Sequence, residues 1–181
     1  MNRQQNYNSG LPPWAKGVIA VSVIAAVAFI GYKTYDFFAN IKDGKDSKAV
    51  ANDAKDVVSQ LKKDGSKLSF PEVAYSSCIT TIVKLLNGCD TFGSELQAVY
   101  EIAKVVKAPI DWYYLVEKFA KKDIDDCGWG KTNYDLVSLV KDQLDTNGVY
   151  SIDINGYKKS GFAVNSVDIL EGYLKSKGIQ L

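Results

Sequence analysis

Residues 17–32 read GVIAVSVIAAVAFIGY, sixteen positions without a charge, and the fold class turns on which solvent surrounds them. As an α-helix rising about 1.5 Å per residue, the run spans roughly 24 Å, short of a hydrocarbon core of about 30 Å. Its flanks supply the remainder. Trp14 and Ala15 precede it, Tyr35, Phe37 and Phe38 follow, and Lys16 and Lys33 stand at the two ends. Their ammonium groups can reach the headgroups while their stems stay in lipid. Aromatic rings at both edges match the belts of membrane interfaces, and Pro12-Pro13 stops the helix from growing toward the N-terminus. The pattern predicts a transmembrane helix over residues 14–38. Its anchoring side chains are Trp14, Lys16, Val18, Ile24, Phe29, Ile30, Tyr32, Lys33, Tyr35 and Phe37. Two other readings compete. A cleaved signal peptide would use Ala26-Val27-Ala28, but the segment before it is long and barely basic. A buried core helix would not need lysines and aromatic collars at both ends.

Charge around this segment bears on orientation. Lys33, Lys42, Lys45 and Lys48 follow it, whereas only Arg3 and Lys16 precede it. Four against two favours the C-terminal part on the cytoplasmic side, by a small margin. Ser22, Ala25, Ala26 and Ala28 would let helices approach closely, so a homo-oligomer joins the partner readings, although no strict GxxxG is present.

The composition limits the chemistry. Lysine and arginine total 22 against 21 acids, a net charge of +1, with 46% hydrophobic and 24% charged residues. Arg3 and Lys16 are the only charges in residues 1–32; removing them leaves 20 lysines against 21 acids. A near-neutral domain provides no broad field for phosphate backbones, and Arg3 is the only arginine, so nucleic acid is not an expected partner. The chain has no histidine, which removes the commonest general base and the Ser-His-Asp and Cys-His constellations. Cys78, Cys89 and Cys127 match no CxxC metal spacing, and three is an odd number. The reading favoured is free thiols, wholly or partly buried; one bridge, such as Cys89 to Cys127, is the alternative and would imply an oxidising compartment. No cofactor and no resident metal is expected.

The remainder reads as helices. Residues 1–13 form a polar tail, and residues 39–69 a hinge followed by an amphipathic stalk helix, Ser47 to Lys63, with Val50, Ala54, Val57 and Leu61 on one face and Asp64-Gly65-Ser66 closing it. That helix either stands free or packs on the domain, residues 70–181. A helix from Pro71 to Leu86 places Ala74, Cys78, Ile82 and Leu85 inward. A second, after the Asp90–Ser94 turn, places Leu96, Val99, Ala103 and Val106 inward. Pro109 ends it, and Asp111 reads as the N-cap of a third helix with Trp112, Leu115 and Phe119 in the core. Tyr113 and Tyr114 are left as an interaction surface. A loop from Asp125 to Gly130 leads to a fourth helix capped by Thr132 or Asn133 and ended by Asn147-Gly148. Tyr150, Ile152 and Ile154 alternate as in a strand, and Asn155-Gly156 signals a hairpin turn. Asn165 or Ser166 caps a last helix carrying Ile169, Leu170, Tyr173 and Leu174. The predicted fold class is all-α, an N-terminal transmembrane helix followed by a small helical domain with one short β-hairpin.

The order Leu86–Thr91 (LNGCDT), Glu95–Val106, Leu115–Phe119 and Asp135–Leu144 (DLVSLVKDQL) resembles a single annexin-type repeat over roughly Pro71 to Gly148. The resemblance implies a module of the kind found in small membrane-associated bacterial or bacteriophage structural proteins. It also implies a loop of the form G-x-G-T that offers carbonyls to calcium. Here that stretch is Gly88-Cys89-Asp90-Thr91, with aspartate in place of the second glycine. Calcium needs six to eight oxygens; Asp90, Asp125 and Asp126 would supply some, but the pattern is incomplete and argues against calcium.

Gly130-Lys131-Thr132 invites a P-loop reading, yet Asp125 occupies the position of the motif's first glycine. Four helical glutamates, Glu72, Glu95, Glu101 and Glu117, keep one enzyme class open: a membrane-anchored, peptidoglycan-degrading lytic enzyme with a glutamate general acid. The favoured expectation is a non-enzymatic, single-pass structural or interaction protein of a virion internal membrane or bacterial cell membrane. Its partners would be the bilayer and other membrane or capsid proteins, with no catalytic residues.

Overall fold

The computed structural model describes residues 47–181 apart from 90, 91, 126, 128, 129, 145, 146, 155 and 180. The membrane segment 14–38 and its anchoring side chains therefore lie outside the described residues. Among the described residues, no helix is long and apolar enough to cross a membrane.

The first described helix, α1 (Ser47–Lys63), has the expected bounds. Val50, Ala54, Val57, Val58 and Leu61 recur at three- and four-residue steps and are all buried. The helix ends where Gly65 adopts φ +88°. There the Gly65 N–H donates to the Lys62 carbonyl at 3.1 Å and the Ser66 N–H to the Leu61 carbonyl at 2.9 Å. Glycine is needed at that point because a Cβ disfavours the left-handed region. Of the two alternatives for this helix, packing holds: its apolar stripe belongs to the same core as the helices after it. α1 thus shares one core with the helices that follow Phe70.

Four helices follow: α2 (Glu72–Leu85), α3 (Phe92–Val105), α4 (Pro109–Phe119) and, after a hairpin, α5 (Leu136–Gln143). The buried stripe of α2 is Tyr75, Cys78, Ile79 and Ile82. Ala74 and Leu85, expected inward, are only half-buried, so the face is turned by one position to admit the large Tyr75 ring. α3 buries Val99 and Ala103 as expected, with Val106 buried just past its end, adds Glu95, Ala98 and Ile102, and leaves Leu96 half-buried.

The central element is α4. Ile110, Asp111, Trp112, Tyr113, Tyr114, Leu115, Val116 and Phe119 are all buried, and a helix apolar on every side is one that other elements enclose. α1 lies along it, with α2 and α5 against other sides. Trp112, Leu115 and Phe119 fill the core as expected. Tyr113 and Tyr114, expected on a contact surface, are 2% and 3% exposed. The correction has a plain cause: α1, α2 and α5 all pack on α4, and the Tyr75 ring of α2 stands edge-on to Tyr114 at 5.1 Å. Each such ring, moved out of water, contributes about 1.5–3 kcal/mol. Pro109 opens α4 at its first position, and the cap residue is Ala108; Asp111 is the third residue of the helix.

Between α4 and α5 the chain makes a hairpin where a loop was expected. Strands β1 (Lys122–Asp125) and β2 (Lys131–Tyr134) pair antiparallel, with Ile124 opposite Thr132. The cap of α5 is Asp135, not Thr132 or Asn133. Its carboxylate accepts from the Val137 and Ser138 N–H groups, each at 2.9 Å. α5 stops at Gln143, and Asn147-Gly148 opens a strand instead of closing the helix. β3 (Asn147–Ile154) and β4 (Tyr157–Asn165) form the hairpin expected around Asn155-Gly156, longer than its sequence suggested. α6 (Ser166–Ser176) starts at an Asn165 cap, whose side chain accepts from the Asp168 N–H at 3.0 Å. It buries Ile169, Leu170, Tyr173 and Leu174. Its Tyr173 hydroxyl donates to the Val106 carbonyl at 2.6 Å, so the last helix is tied to the chain just past the end of α3.

Candidate functional site

The loop that carries the family resemblance meets the β1–β2 turn. Asn87 to Cys89 leave α2, and Gly88 adopts φ +98°, a conformation that favours glycine. Its N–H donates to the Asp125 carbonyl at 2.7 Å. In return the Asp125 N–H donates to the Asn87 side-chain oxygen at 3.0 Å. Two residues further out, Cys89 and Cys127 are joined in a disulfide with their Cα atoms 4.2 Å apart. The favoured reading of three free thiols is corrected on this point. The sequence separation of 38 residues is closed by the hairpin, which turns Cys127 back toward the end of α2. Cys78 alone is free. It is buried on α2 with its thiol directed at the Glu101 carbonyl, 3.4 Å away, and burial pushes the thiol up to about 12.

The same contact sets the Asp125 backbone beside Gly88. Asp90 and Asp126, the other carboxylates proposed for calcium, lie outside the described residues. Among the described residues no group of three acidic or cysteine side chains is placed to hold a metal ion. Gly130-Lys131-Thr132 runs from the turn into β2, with Lys131 and Thr132 exposed. A short strand, β1, does precede the segment. A phosphate-binding loop must nonetheless open a helix at its lysine and threonine, and here those residues enter a strand.

The four candidate glutamates are spread over three helices. Glu95, in the first turn of α3, is fully buried. Glu101 accepts from Lys104 at 2.5 Å and from Gln97 at 2.8 Å. Glu72 and Glu117 both act on the Tyr114 hydroxyl. Burial, the hydrogen bond to Glu72 and these two carboxylates push Tyr114 up to about 12. Lys62 and Lys118 sit 5.5 and 5.1 Å from the centre of the Tyr114 ring, and Lys118 also lies 3.3 Å from the Glu117 carboxylate.

A second cluster was not foreseen. Asp111, read as a helix cap, is a fully buried carboxylate with five donors. It accepts from the Ser69 N–H at 2.9 Å, the Ser69 hydroxyl at 2.7 Å and the Tyr75 hydroxyl at 2.5 Å. The Lys107 and Ala108 N–H groups, each at 2.9 Å, complete the set. Burial alone would push the carboxyl up, but the donors from Ser69, Tyr75 and Lys107 outweigh it and hold the acid below its ordinary range. Tyr75 moves the opposite way: burial and the Asp111 charge raise it. Asp111 thus ties the segment before α2, α2 itself and the α3–α4 turn to one atom pair. An aspartate two residues after a proline carries the local half of this signal. The long-range half, from Ser69 and Tyr75, has none.

The chain matches no family model, no curated protein and no solved structure.

Proposed function

We propose that this chain is a single-pass membrane-anchored structural or interaction protein, its helical domain held beside a bilayer to dock neighbouring membrane or capsid proteins. The observation that carries the reading is the charge-free run Gly17–Tyr32, with lysines and aromatic rings at both ends. The packing of α1 sharpens it. With α1 in the domain core, only residues 39–46 separate the predicted span from the folded unit, a reach of at most about 28 Å when extended. Such a tether keeps the domain within one domain diameter of the lipid. The helix order that resembles an annexin-type repeat, with a hairpin between its third and fourth helices, fits a docking module of that kind.

The test is retention of the full chain in membranes washed with alkaline carbonate. Ile24→Lys with Val27→Asp adds about 6 kcal/mol to the cost of insertion and is expected to move the chain to the supernatant. A wild-type chain that washes off would end the proposal. Cross-linking in the purified membrane or particle then identifies the neighbours.

The lytic alternative needs a glutamate general acid, and Glu72, hydrogen-bonded to the Tyr114 hydroxyl, is its candidate. Muropeptides released from peptidoglycan by the full chain, and lost in Glu72→Gln or Glu117→Gln, would replace the structural reading with the enzymatic one.

A further inference from the structure

The Cys89–Cys127 bridge bears on which face of the membrane the domain occupies. Its two cysteines lie in separate loops and are both exposed, so soluble thiol reductants reach them. An exposed bridge between surface loops does not persist in a compartment kept reducing by glutathione and thioredoxin, and does persist in the periplasm or outside the cell. The remaining cysteine offers no competing partner, because Cys78 is buried within α2. Two hydrogen bonds already hold the loops in register, Gly88 to the Asp125 carbonyl and Asp125 to Asn87. The folded chain therefore presents its cysteines to each other before the bond is made.

We infer that residues 47–181 stand on the oxidising face of the membrane and the N-terminal tail on the reducing face, and that a protein disulfide oxidant installs the Cys89–Cys127 bridge there. The inference rests on the membrane-anchored reading above. In the reaction, one cysteine thiolate attacks the oxidant's disulfide, forming a mixed disulfide and releasing one of the oxidant's thiols. The second cysteine thiolate then displaces the oxidant's other sulfur. The chain gains its bridge, the oxidant leaves as a dithiol, and two electrons and two protons pass from the chain to the oxidant.

The lysine count pointed the other way, four after the span against two before it. That preference operates through short flanking segments, and long domains cross largely regardless of charge. A folded unit of residues 47–181 is such a domain. The segment before the charge-free run carries Arg3 and Lys16 and no acid, which suits retention on the cytoplasmic face. The chemistry of an exposed bridge outweighs a margin of two lysines.

The test uses the full chain in a bacterial host. Cells are quenched in acid and their protein is dissolved in denaturant together with the alkylating agent, so that buried Cys78 reacts and no thiol oxidises afterwards. One of the three cysteines is expected to be alkylated without reductant and all three after reduction. In intact spheroplasts, a membrane-impermeant phosphine reductant followed by an impermeant maleimide is expected to add two labels, absent from a Cys89→Ser/Cys127→Ser variant. In a host without its periplasmic dithiol oxidase, the bridged fraction is expected to fall several-fold. A chain that stays in the carbonate pellet with all three thiols alkylated at the quench, or that takes no label in spheroplasts, overturns the sidedness and leaves the anchor standing. A chain that carries the bridge yet washes off in carbonate overturns the anchor itself, and with it the assignment of faces.

Discussion

Replacing Asp111 tests whether one buried carboxylate holds the turn before α4 to the start of α2. In Asp111→Ala, the Tyr75 hydroxyl loses its acceptor in a fully buried site, a cost of about 1–3 kcal/mol. The Lys107 and Ala108 N–H groups, in half-buried residues, add about 0.5–1 kcal/mol each. Ser69 is exposed and recovers its bonds from water. With the small cavity left behind, the expected loss is about 3–5 kcal/mol. For a unit of this size that lowers the melting temperature by about 10–20 °C. Asp111→Asn keeps the volume but turns an amide donor toward a set of donors, and is expected to lose nearly as much. The pH dependence separates charge from packing. A carboxyl held below its ordinary range when folded contributes its full stability above the unfolded value, about 3.9. That contribution disappears as pH falls through the folded value. The gap between wild type and Asp111→Asn in thermal or urea unfolding should therefore be widest at neutral pH and shrink below pH 4. A gap under about 1 kcal/mol at pH 7, or one that does not narrow in acid, would refute the hub.

Three further outcomes are expected. Cys89→Ser/Cys127→Ser opens a loop spanning 38 residues and should lose about 4 kcal/mol on chain-entropy grounds, read as a lower urea midpoint with native circular dichroism retained. Gly172→Ala places a Cβ against the Tyr157 hydroxyl. Pushing β4 away from α6 should cost about 1–2 kcal/mol after the helix gain from alanine, and adding Tyr157→Ala should recover part of it in a double-mutant cycle. Cys78, with its thiol pushed up to about 12 by burial, should resist iodoacetamide at pH 8 in the native chain and react at an ordinary rate once unfolded.

Much of the fold is legible in local patterns. The bounds of α1, Trp112, Leu115 and Phe119 in the core of α4, the core residues of α6, the β3–β4 hairpin and the Asn165 cap all follow from signals within a dozen residues, because helix periodicity and capping are satisfied inside the element that carries them. The misses share a different cause. β1 and β2 are four residues each, too short for alternation to register, and they form because their partner strand is present. The one-position turn of the α2 face follows from where the Tyr75 ring finds space beside Tyr114, 5.1 Å away and edge-on.

The sequence by itself determined that this chain is built from helices, that it lacks histidine chemistry, and that residues 17–32 form an apolar run whose flanks suit lipid. Those properties belong to composition and short-range order, which no packing arrangement alters. Only the tertiary structure decided that α1 is part of the core, that Tyr113 and Tyr114 are buried, that Cys89 faces Cys127, and that Ser69, Tyr75 and the α3–α4 turn share the Asp111 carboxylate. Each of these joins residues far apart in the chain, and a spacing pattern holds no record of which distant surface will cover a given face.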